Sequence, residues 1–242
     1  MRGLSEIKAK GPELQTHLGD ASVLLDDRNS PDGRRTGQDL RNEKDAKEKN
    51  THRLIVDVAE RLFRQLGFQK TTVADIAKAL QMSPANVYRF FDSKKSINAG
   101  VACRLMGEVE QASKAIAAKR GSAAGRLREL LTTIHRMNSD RYVGDSKMHE
   151  MVAVAMEENW DVCKTHMQGI TGEIANVIAS GVASGEFHVP DVGIAAMCTC
   201  SAMVRFFHPQ LIAEAADKPG PTLNQMIDFI IAGLSAPNLS RN

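Results

Sequence analysis

An all-α fold is what this 242-residue sequence predicts, on three observations. Apolar residues recur at helical spacing from Asn50 almost to the C-terminus. Aromatic residues make up only 5% of the chain and alternating β-branched runs are few, which argues against sheet. The periodic segments are also punctuated as helices are, with Ser, Thr or Pro at their starts and Gly at their ends.

Residues 1–49 stand apart from this pattern. The run "DDRNSPDGRRTGQDLRNEKDAKEKN" is polar and turn-rich, so burial cannot offset its ordering entropy, and a disordered extension is expected. From Asn50, Leu54, Ile55, Val58, Ala59, Leu62, Phe63 and Leu66 share one helix face, and Gly67 ends it. Thr72 and Asp75 have capping-box spacing at the start of a short helix over 72–80. Ser83 caps the next helix, 83–91, and Pro84 takes its first position, where a missing N–H costs nothing. A longer helix follows over 93–118, with Ile97, Val101, Leu105 and Val109 facing inward, and "GSAAG" interrupts it. Five more helices are expected near 123–139, 147–158, 161–184, 191–208 and 222–235. The stripe of the long one is Ile170, Ile174, Val177, Ile178 and Val182. His208-Pro209 followed by "DKPGP" reads as a break. The organisation is therefore a disordered extension (1–49), a small three-helix domain (50–98) and a larger bundle (99–242).

Composition narrows what such a chain does. No apolar run approaches the ~18 residues of a membrane span, and no signal-peptide core opens the sequence. Four scattered cysteines (Cys103, Cys163, Cys198, Cys200) suit reduced, buried thiols and a cytoplasmic location. A Gly-rich phosphate loop, a nucleophile elbow, a clustered carboxylate pair and HExxH are all missing, so no enzyme, cofactor or metal is expected. The net charge of +2 conceals a split: residues 51–119 carry eleven Lys/Arg against six Asp/Glu, whereas 120–242 carry ten against thirteen. A polyanion partner for the first of these segments is implied.

Helices 72–80 and 83–91 with their tight turn make a helix-turn-helix, whose second helix enters the DNA major groove by its N-terminal residues. Those residues are Pro84, Ala85 and Asn86, small or amide-bearing, so the backbone approaches base edges and Asn86 offers them hydrogen bonds. Val87 and Phe91 are expected inward, against Ile55, Leu62 and Val73, while Tyr88 and Arg89 reach phosphates. Lys94, at a helix start where a cation opposes the macrodipole, is explained if a phosphate completes that helix end.

Phe63 to Gly67, Thr71-Thr72, Ile76-Ala77, Ser83, Tyr88 with Phe91, and Ser93-Lys94 together resemble the DNA-binding signature of the tetracycline-repressor (TetR/AcrR) family over about residues 51–98. The resemblance adds Thr71, Thr72 and Ser83 to the expected DNA face. It implies a homodimeric repressor of a palindromic operator, released by a small effector bound in the C-terminal bundle. The family has Gly in the turn where this chain has Gln81, a site that needs φ > 0. In the family the last two long helices form the dimer interface. Here Ala195, Ala196, Ala202 and Phe206, with Met226, Ile230 and Leu234, are the expected contributors.

Met148, Met151, Met156, Trp160, Met167 and Met197 are either an adaptable ligand pocket or ordinary core. His149 and His166 are candidate polar anchors. The alternative function is a DNA-binding regulator or architectural protein without an effector.

Overall fold

A computed structural model describes residues 37–142, 160–215 and 218–237, together with Lys147, Met151 and Val154. The chain divides into two units, Met1–Asn42 and Glu43–Asn242. Of the first, the described part is the beginning of α1 (Gly37–Leu66). The helix therefore starts well before Asn50, which corrects the extent of the expected disordered extension for residues 37–49; residues 1–36 lie outside the described residues. The reason is visible in the sequence after the fact. "QDLRNEKDAKEKN" contains no Gly or Pro and carries alternating charge, which supports a solvated helix without burial.

Gly67 ends α1 with φ 95°, a left-handed value that a β-carbon disfavours, and its N–H closes on the Phe63 carbonyl at 2.9 Å. Next come α2 (Val73–Ala79) and α3 (Pro84–Tyr88), shorter than the expected 83–91, then α4 (Lys94–Ala117). Ile55, Phe63, Val73, Ile76, Val87, Phe91, Ile97 and Val101 form one buried core, so the inward assignments of Val87 and Phe91 hold. Each such side chain contributes about 1.5–3 kcal/mol by burial. Leu54 and Leu66, expected on the same face, are instead exposed.

The second core is built by the end of α4 with α5 (Ala123–Tyr142), α6 (Trp160–Ser184), α7 (Val192–Phe207) and α9 (Leu223–Ser235), and α8 (Pro209–Ala215) packs on α5 and α7. Ile170, Ile174, Val177 and Ile178 are buried as the periodicity predicts, whereas Val182 at the end of the stripe is exposed. The segment read as a break after His208 is α8, because Pro209 occupies a helix start rather than an interior. Helix α6 packs on α4, α5 and α7. At its end it passes close to Phe187: a β-carbon on Gly181 would lie 2.2 Å from that ring. Most of the expected helix 147–158 lies outside the described residues, although Lys147, Met151 and Val154 are helical. Among the described residues there is no strand, and no helix is long and apolar enough to cross a membrane.

Candidate DNA-reading face and effector cavity

The reading face is built by capping chemistry. Thr72 and Asp75 form a reciprocal capping box at the start of α2: the Asp75 N–H donates to Thr72 Oγ1 (3.1 Å), and the Thr72 N–H to Asp75 Oδ2 (2.9 Å). The Thr72 hydroxyl, which donates to Asp75 Oδ2 at 2.6 Å, and then the Thr72 N–H hold the Asp75 carboxyl below its ordinary pKa. The α2 C-terminus closes as a Schellman turn, with Gln81 N–H on the Lys78 carbonyl (3.1 Å) and Met82 N–H on the Ala77 carbonyl (2.9 Å). Gln81 takes φ 56°, among described residues the one non-glycine with positive φ. The turn thus keeps the geometry that glycine makes easy, with about 1 kcal/mol of strain in its place.

The turn sets α3 outward. Ser83 Oγ accepts the Asn86 N–H (3.2 Å), and Pro84 and Ala85 are exposed at the helix start. Asn86 Oδ1 accepts from Arg89 Nη1 at 3.3 Å, which orients the amide along the face. Tyr88 is 50% exposed and Arg89 is exposed beside it. Ser83, Pro84, Ala85, Asn86, Tyr88 and Arg89 are therefore all at least partly open to solvent, as is Thr72, while Val87 holds the helix to the core.

Two residues assigned to that face are placed otherwise. Thr71 is 0% exposed, and its hydroxyl donates to the Gly67 carbonyl at 2.8 Å. It ties the loop to α1 and cannot touch DNA. Lys94 does not project from the start of α4. Its Nζ donates to the carbonyls of Phe68 (2.9 Å) and Gln69 (3.3 Å) and lies 4.4 Å from the centre of the Phe68 ring. The charge that opposes the α4 dipole is thus held by two carbonyls of the turn that follows α1. Helix α4 itself is capped by Ser93 and Ser96.

Behind the reading head, a cavity of about 120 Å³ opens between α4, α5, α6, the end of α7 and Pro209. Met151 and Met167, both expected in a pocket, line it, as does His166, whose Nδ1 pairs with Glu110 at 2.7 Å. Met197 does not: it is 51% exposed on α7. Met148, Met156 and His149 lie outside the described residues, as does the side chain of Trp160. Ala102, Ile134, Phe207 and His208 complete the wall and had no motif to mark them. Met151 also belongs to the reading-head core, and its carbonyl accepts from the buried Asn98 amide at 3.1 Å.

Of the expected interface residues, Ala196, Phe206, Ile230 and Leu234 are buried in the chain's own core, and Ala195, Ala202 and Met226 pack against it. The outward apolar side chains of α7 and α9 are others: Ile194, Met197, Val204 and Phe229, the last 74% exposed.

The family model described as bacterial regulatory proteins, tetR family, matches residues 55–99, and the one described as tetracyclin repressor-like, C-terminal domain, matches residues 123–222. The biofilm operon icaADBC HTH-type negative transcriptional regulator IcaR of Staphylococcus aureus strain Newman is 49% identical over 43 residues. That match covers 18% of this chain and only 23% of the relative's length. Among solved structures, a TetR/AcrR-family regulator from Thermobifida fusca superposes with a TM-score of 0.54 at 22% identity, covering 80% of this chain and 100% of that one. The transcriptional regulator FadR of Bacillus subtilis, solved with stearoyl-CoA, gives 0.55 at 17% identity over 74% and 97%. Likeness at such identities establishes the fold. With both family models placed on the two halves of a helix-turn-helix protein, the chain belongs to the TetR family of DNA-binding transcriptional regulators.

Proposed function

We propose that the chain is a homodimeric repressor that reads a palindromic operator with α3 and leaves it when a small, mostly apolar effector fills the cavity. The observation that carries this reading is the double use of α4. Ile97, Val101 and Leu105 belong to the reading-head core, while Ala102 and Met106, between and beyond them, line the cavity. An occupant that shifts α4 therefore shifts the reading head. Arg104 reinforces the link from α4 to α1 through Asp57 (2.9 Å) and Glu60. Repression is supported by the negative regulator IcaR, and effector binding by the ligand held by the FadR fold.

On the DNA, Pro84, Ala85 and Asn86 face base edges, and Thr72, Ser83, Tyr88 and Arg89 face phosphates. The exposed Ile194, Met197, Val204 and Phe229 make the dimer contact, which doubles the DNA contacts and fixes half-site spacing. Selection of bound DNA from a random pool tests the reading. A sequence with two-fold symmetry is expected, and recovery of an asymmetric site by a monomer in sedimentation refutes it.

A further inference from the structure

Given the reading above that an effector occupies the cavity, the side from which solvent approaches it bears on the effector's head group. A surface groove of about 350 Å³ lies beside the cavity, between α4 and α6. Met106 of α4 and His166 of α6 line both spaces, so their side chains stand between the groove and the cavity. This boundary is not rigid, since a methionine side chain is unbranched and turns about three bonds. Gly107 keeps the groove open on its α4 side, where a β-carbon would meet nothing within 4 Å.

The two spaces differ in chemistry. On the cavity side, Ile134, Met151, Met167, Ile170 and Phe207 present an apolar wall. On the groove side stands Glu110. Its Oε1 accepts from His166 Nδ1 at 2.7 Å, which holds the carboxylate at the boundary itself. The Glu110 side chain is still 42% exposed, and its Oε2 has no hydrogen-bond or ion-pair partner among the described residues. One carboxylate oxygen is therefore accessible and free at the edge of an apolar cavity. A cationic group placed there meets an opposite charge while staying partly hydrated, so it avoids the desolvation cost of a buried ion pair. Size limits the remainder of the molecule. An engineered apolar cavity of about 150 Å³ takes benzene, so about 120 Å³ suits one ring and little more.

We infer that the groove between α4 and α6 is a head-group site for a small amphiphilic amine, whose single ring fills the cavity and whose ammonium rests on Glu110. Glu110 then sets the preference for a cation, and the apolar wall supplies the remainder of the affinity.

Titration calorimetry at neutral pH on the full chain with phenethylamine, 2-phenylethanol and 3-phenylpropanoate tests this. The three carry the same ring on a short chain and differ in the charge of the head. A half-exposed ion pair contributes up to about 1 kcal/mol, or roughly fivefold in Kd. The amine is therefore expected to bind about fivefold more tightly than the alcohol, and the propanoate weakest of the three. Glu110→Gln removes the charge but keeps an oxygen to accept from His166, and it should bring amine and alcohol within twofold of each other. Ala102→Leu, which fills the cavity from α4, should weaken both. Equal binding of amine and alcohol, tighter binding of the propanoate, binding of none of the three, an amine preference that survives Glu110→Gln, or amine affinity untouched by Ala102→Leu overturns the inference. Should Glu110→Gln not fold, the comparison of the three compounds on the unaltered protein still decides. Operator binding is measured separately. An amine that binds with the expected preference but leaves DNA binding unchanged supports the site and defeats the effector reading.

Discussion

Replacing Lys94 by methionine separates two roles for one cation. The substitution keeps an unbranched stem against Phe68 and removes the ammonium, so packing is largely preserved. What is lost is two charge-assisted bonds, at 2.9 and 3.3 Å, and a cation–π contact at 4.4 Å. A hydrogen bond to a charged group contributes roughly 1.5–3 kcal/mol when buried, and less at this half-buried site. The longer bond and the ring contact add fractions of that, so Lys94→Met should cost about 2 kcal/mol. For a chain of this size that is a fall of roughly 4–8 °C in the thermal midpoint. Circular dichroism through thermal and urea unfolding reads the stability, and fluorescence anisotropy at several salt concentrations reads the operator contacts. Because the ammonium is engaged with carbonyls, the salt slope should change by less than about 0.5 per subunit. A variant of unaltered stability whose slope falls by about 1 per subunit would falsify the carbonyl-cap reading and return Lys94 to the phosphates.

Asn86→Ala should relax preference at one base pair per half-site by about 1–3 kcal/mol while leaving the salt slope nearly unchanged, as quantitative binding to operator variants would show. Phe229→Arg puts a charge where the proposed dimer contact needs an apolar side chain; the subunit should stay folded, since Phe229 is exposed, but sediment as a monomer at micromolar concentration. An intact dimer would move the interface away from α9. The Glu186 carboxylate accepts the Ala123 (2.9 Å) and Ala124 (3.2 Å) N–H groups at the start of α5, which holds its pKa below the ordinary 4.5. Its stabilisation is therefore fully present above about pH 4.5 and lost as pH falls through the lowered value. Glu186→Gln should be less stable than the parent at pH 7, and the gap should close in acid; a gap that stayed constant down to pH 3 would assign the cost to packing.

The helix-turn-helix was legible because each of its parts answers a local physical demand. Thr72 with Asp75, Ser83, and Pro84 at the first helical position all occupy the cap positions their chemistry predicts, and Gln81 takes the positive φ expected of the turn. Thr71 shows the limit of that legibility. It adjoins a capping threonine and shares its residue type, yet faces the core, and only the third dimension separates the two. The residues expected at a dimer face are engaged with the chain's own core for a related reason. Helix α7 is apolar on more than one side, so periodicity identifies Ala196, Met203 and Phe206 as readily as Ile194, Met197 and Val204. Burial alone tells which stripe the chain keeps for itself. The cavity was legible only through Met151, His166 and Met167, since Ala102, Phe207 and His208 become a wall through the meeting of distant segments.

Helix α4 converts these separate readings into one energetic argument. Release of an operator by ~100-fold requires an effector to prefer the non-binding conformer by about 2.7 kcal/mol. The structure holds a term of that size where the two cores meet. Asn98, almost fully buried on α4, donates an amide hydrogen to the Met151 carbonyl, while its Oδ1 has no partner among the described residues. An unpaired buried oxygen costs roughly 1–3 kcal/mol, a magnitude comparable to the whole switch. Met151 stands on both sides of that hinge: its side chain belongs to the reading-head core and lines the cavity, and its carbonyl holds Asn98. On the proposed switch, contact with an occupant at Met151 would act on a bond that ties α4 to the neighbouring segment, and the reading head would follow α4 through Arg104 and its carboxylates on α1.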